Sequence, residues 1–219
     1  MAITRASSAI ISGTSGTLPT HAENDLILIF AHASTANSPT RPSGWYGAQT
    51  NTYSASPGVS SGYKIAASSS ETSGTWTNAA ALCVFVCRSD TANHFVLPDS
   101  LNASSGTGTS ITYTSEGAFN REGYTNLWVV GSALILNTDS DMTIAPSGMT
   151  NLQSFVGGSF SVGLHDTNGN RLTNFSAAAS VGGTSASFRQ QCTRIWEQAY
   201  PSGGGGGGGS SILSHGFMR

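Results

Sequence analysis

The chain has 219 residues and a formal net charge of −2, and only 9% of its residues are charged, where a globular chain averages about 25%. Lys64 is the single lysine, so the clustered basic side chains that neutralise nucleic-acid phosphates are missing. Serine and threonine number 59 and glycine 27, which disfavours helix, while 38% hydrophobic residues are enough for a core and argue against disorder.

Strand signals recur along the chain, separated by Gly, Pro, Asn and Ser. The segment from Asp25 to His32 is continuously apolar, as expected of a strand buried on both faces. Val59 to Ala66 alternates loosely. Trp76 to Arg88 opens polar and becomes strongly β-prone. Thr109 to Thr114 alternates cleanly. Asn126 to Leu136 is a second buried strand, with Gly131 a candidate bulge. Phe160 to His165, Leu172 to Ser180 and Ser185 to Trp196 complete the set, with a helix over 189–200 the weaker alternative for the last. Asp166-Thr-Asn-Gly-Asn170 predicts a tight hairpin. Eight or more short strands with turn-rich connections predict an all-β protein: a jelly-roll-like antiparallel β-sandwich over 1–200.

An internal echo points to two similar halves, 23–90 and 126–197. Pro42-Ser-Gly-Trp45 and Pro146-Ser-Gly-Met149 lie 104 residues apart, each after a long apolar strand. Each half then ends in a strand bearing a cysteine and an arginine. One shared core is expected, because half of such a chain has little to bury alone.

The tail differs. Gly203 to Gly209 is an unbroken glycine run, a flexible tether by composition. Residues 201–219 therefore read as a tether and hook, with Ile212, Leu213, Phe217 and Met218 as the partner-docking residues. The N-terminus lacks the apolar core of a signal peptide, and no stretch approaches a membrane span. Synthesis in a cytoplasm, with no membrane insertion and no nucleic-acid partner, is the expectation.

Reactive constellations are scarce. Cys83, Cys87 and Cys192 are odd in number, and on a strand the first two stand roughly 13 Å apart, too far for a disulfide. They read as small buried hydrophobes. No metalloprotease, nucleophile-elbow or phosphate-loop motif is present. Asp166, Asn168 and Asn170 begin like a calcium loop, but Arg171 and Ala177 stand where glycine and glutamate are needed. A non-enzymatic protein without cofactor or metal is expected. Trp45, Tyr46 and Tyr53, in a polar loop, are candidates for stacking on a glycan; the competing reading seats Trp45 in the core as an end plug.

Residues 25–30, Arg41-Pro-Ser-Gly-Trp45, Gly62-Tyr-Lys-Ile-Ala66, Ser70-Glu-Thr-Ser-Gly-Thr-Trp-Thr77 and the apolar strand 81–88 together resemble a module of tailed-bacteriophage virion proteins. Many of those also end in polyglycine followed by a short hydrophobic terminus. The resemblance covers roughly 23–90 and 200–219. It implies a structural β-sandwich on the phage head or tail, localised to the virion, homo-oligomeric and contacting other virion proteins. It transfers no catalytic residue. An adhesin that recognises a host surface glycan is the alternative role. The shortage of lysine fits assembly, since free sheet edges without charge invite pairing unless neighbours cover them.

Overall fold

In the computed structural model, which describes residues 3–47, 56–91, 94–114, 127–169 and 175–199, the apolar runs become the central strands of two antiparallel sheets. The first contains β1 (Ile3–Ser12), β2 (Leu26–Ala33), β3 (Gly58–Ile65) and β4 (Ala81–Ser89), in the order β1-β4-β2-β3. The second contains β5 (His94–Gly108), β7 (Leu127–Ile135), β8 (Thr150–Val156), β9 (Ser161–Asp166) and β11 (Ala186–Ala199), in the order β5-β11-β7-β9-β8. A separate ribbon pairs β6 (Ser110–Thr114) with β10 (Ser176–Ser180). No helix forms among the described residues, and 189–198 is strand throughout.

Alternation along each strand builds three apolar layers. Leu26, Leu28 and Phe30 of β2 point inward with Cys83, Phe85 and Cys87 of β4. They meet Trp128, Val130 and Leu134 of β7 and Val162 and Leu164 of β9. Ile27, Ile29, Leu82, Val84 and Val86 point the other way, under a cover of Leu18, Trp45, Ala66 and Trp76. On the far face of the second sheet, Val129, Ala133, Ile135 and Cys192 lie beneath the β6–β10 ribbon through Ile111, Tyr113 and Ala179. Both faces of β2 and β4 are thus capped, which is why their sequences are apolar without a break.

Each sheet is drawn from one contiguous half of the chain; the strands do not alternate between layers. The order β4-β2-β3 in one sheet matches β11-β7-β9 in the other, with β1 and β5 added at corresponding edges. Gly44 and Gly148 both have φ of +81°, the left-handed value that glycine takes at least cost. The turns they close place Tyr46 against β3 and Thr150 against β9.

Two expectations change. The Asn-Gly segment does turn, with Asn168 at φ +45°, but it joins strands of different sheets: β9 pairs with β7 and β8, and β10 pairs with β6. No β9–β10 hairpin forms, because the edge of β9 that a returning strand would occupy is taken by β8. Gly131 hosts no bulge either, since its pairing with Cys192 and His165 runs in unbroken register. Its role is steric. A Cβ there would lie 2.4 Å from the Tyr113 ring, so the absent side chain lets the ribbon seat on the sheet.

Polar ties fix the layers. The Tyr113 hydroxyl lies 3.1 Å from His165 Nδ1, and His165 Nε2 lies 3.1 Å from the carbonyl oxygen of Met142. That carbonyl can only accept, so Nε2 carries the ring proton and Nδ1 accepts from tyrosine. Arg5 donates to both carboxylate oxygens of the fully buried Asp166, at 3.0 and 2.9 Å, tying β1 to β9.

Candidate functional site

The turn at Pro42 to Trp45 separates two aromatic neighbours. Trp45 turns inward, 7% exposed, and meets Trp76 edge-on with ring centroids 5.7 Å apart. Its burial matches the end-plug reading and leaves its ring face unavailable for stacking on a sugar. Tyr46 turns outward and is 42% exposed. It exchanges two backbone hydrogen bonds of 2.9 Å with Tyr63, and the two rings lie 5.7 Å apart at a 33° tilt. Tyr53 lies outside the described residues.

Charged groups flank this tyrosine pair. Arg41 runs across Gly62 and donates to the Ser61 carbonyl oxygen at 3.2 Å; a Cβ on Gly62 would come within 2.7 Å of the Arg41 stem. Lys64 pairs with Glu71, whose carboxyl is held below its ordinary value chiefly by the hydrogen bond from Lys64. Burial, and then the neighbouring Tyr46, raise the Tyr63 phenol. The partner of Tyr46 is thus Tyr63, which composition alone did not single out, because the bridge between them joins residues 17 apart through the turn at Gly44.

The interior holds a serine–histidine pair that resembles a nucleophile and its base. His32 Nε2 lies 2.8 Å from Ser132 Oγ, but Ser132 donates its own proton to the Gly163 carbonyl oxygen at 3.0 Å. The hydroxyl thus accepts from histidine, the reverse of the arrangement that activates serine. Both residues are fully buried, and burial pushes the His32 imidazole down to about 3. The three cysteines are likewise buried and free. Desolvation raises the Cys83 thiol to about 12 and lifts Cys87 and Cys192 as well, which suppresses the reactive thiolate. Among the described residues no three His, Cys, Asp or Glu side chains gather as a metal site, and no helix is long and apolar enough to cross a membrane.

The sheet edges differ in how they discourage pairing. β1 carries Arg5 and is irregular between Arg5 and Ser7. The first part of β5 carries Pro98 and Asp99. β8 has an irregularity between Asn151 and Gln153, yet residues 147–160 contain neither a charge nor a proline. Among the described residues it pairs only with β9, and it leaves Val156 54% exposed. The docking residues Ile212, Leu213, Phe217 and Met218, with the whole 201–219 segment, lie outside the described residues. No family model, curated protein or solved structure matches the chain.

Proposed function

We propose that the chain is a non-enzymatic structural protein of a tailed-bacteriophage virion, on the capsid or the tail, which assembles with copies of itself and other virion proteins. The virion assignment rests on the sequence resemblance at 23–90 and 200–219. The assembly reading is carried by the β8 edge, an uncharged strand with one side of its backbone unpaired among the described residues, which is stabilised when a neighbour covers it. The C-terminal segment, with Ile212, Leu213, Phe217 and Met218, supplies the second contact.

Light scattering on the full chain and on a chain ending at Tyr200 tests this. A defined oligomer that dissociates on truncation supports the reading; monomers in both cases overturn it. An adhesin role draws support from one observation, the exposed Tyr46 ring stacked on Tyr63 and flanked by Arg41. Tyrosine offers a rigid apolar face with a polar tip, which suits a sugar ring. Glycan binding lost in Tyr46→Ala, with the fold intact, would favour that role.

A further inference from the structure

The space between the two sheets is mostly apolar, and beside ties such as Arg5–Asp166 it holds a further polar seam. His32 on β2, Ser61 on β3, Ser132 on β7, and Arg189 and Gln191 on β11 are all 0–2% exposed. Register places them together. His32 pairs with Val59, and Ser61 lies two residues further along the same face of β3. In the facing sheet Gln191 pairs with Ser132. The His32–Ser132 hydrogen bond joins β2 to β7, and Arg189 Nε donates to the Pro57 carbonyl oxygen at 3.1 Å, joining β11 to the chain entering β3.

Because Ser132 donates to Gly163, His32 carries its proton on Nε2 and presents Nδ1 as a bare acceptor. That nitrogen has no hydrogen-bond partner among the described residues. Neither have the Ser61 hydroxyl nor either end of the Gln191 amide. Four polar atoms on three buried side chains lie along this seam by register and have matching needs: two acceptors, one donor pair and one hydroxyl. Buried polar atoms are almost always satisfied, and ordered water is the usual partner when protein is not. The guanidinium of Arg189 beside the seam opposes a cation, and the donor–acceptor mixture opposes an apolar occupant.

We infer that the seam is an internal hydration site, in which a bound water donates to His32 Nδ1 and Gln191 Oε1 and accepts from the Ser61 hydroxyl. An atomic-resolution crystal structure of the full chain should show this water within hydrogen-bond distance of Nδ1. Magnetic relaxation dispersion of water oxygen-17 should count it among the long-lived internal waters. Gln191→Leu should remove one such water while tryptophan fluorescence still reports a folded core; Ser61→Ala, which keeps two partners, should shorten its residence time. A map in which Nδ1 meets only carbon, or is bonded directly by the Gln191 amide, overturns the inference. So does an unchanged dispersion amplitude in a folded Gln191→Leu chain.

Discussion

Acidification should destabilise the fold from about pH 7 downward, through two histidines buried without charge. Burial holds His32 at about 3 and His165 at about 4, against 6.5 for an exposed imidazole. The sign follows from proton uptake. Below 6.5 the unfolded chain binds a proton at each ring, whereas the native state refuses it until the lower value is reached, so stability is complete above 6.5 and falls with pH beneath it. Each ring contributes a loss of about 2 kcal/mol between about pH 7.5 and pH 5, or about 4 kcal/mol together. That is a large share of the 5–15 kcal/mol that typically separates native from unfolded states. Asp166, raised by burial, works in the opposite direction only as the carboxylate range is approached. All four tryptophans are at most 7% exposed, so urea titrations followed by fluorescence report the transition. The midpoint should fall steeply between the two pH values at constant slope, and His165→Gln should halve the dependence. A midpoint unchanged by pH would refute the buried neutral histidines.

Three further outcomes follow from packing. Gly131→Ala should cost about 3 kcal/mol, because its Cβ would displace the Tyr113 ring and break the bond to His165. Gly158→Ala, with nothing within 4 Å of the added atom, is the near-neutral control in the same denaturation assay. A disulfide reagent should titrate no thiol in the native protein and three after unfolding, since every cysteine is fully buried. Trp45→Ala should destabilise by about 3–5 kcal/mol, whereas Tyr46→Ala should stay within about 0.5 kcal/mol. Thermal melts of the two variants separate a core residue from a surface one.

The central strands were legible because they are apolar on both faces: β2, β4 and β7 were found within a few residues of their ends. β1, β5 and β8 were not anticipated, and all three are sheet edges. Ile3–Ser12 mixes serines and Arg5 with its apolar residues, and His94–Gly108 contains Pro98 and a run of serine, threonine and glycine. An edge strand has one partner and a partly solvated face, so its hydrogen bonds are satisfied without a hydrophobic period. The aromatic loop was half legible. Composition identified Trp45 and Tyr46 but not their opposite directions, which depend on the turn at Gly44. The Ser132–His32 pair joins residues 100 apart and is invisible without register.

The strand order has a consequence for synthesis from the N-terminus. β4 inserts between β1 and β2, so the first sheet can close once Ser89 has emerged. In the second sheet β11 sits between β5 and β7. β5 therefore waits for a partner that is made some eighty residues later, and that long closure is slow. Until then the inward face of Leu26, Leu28, Phe30, Phe85 and their neighbours is open to water. A ribosome stalled anywhere between the two halves would present a finished sheet with an uncovered apolar side, a natural substrate for a chaperone.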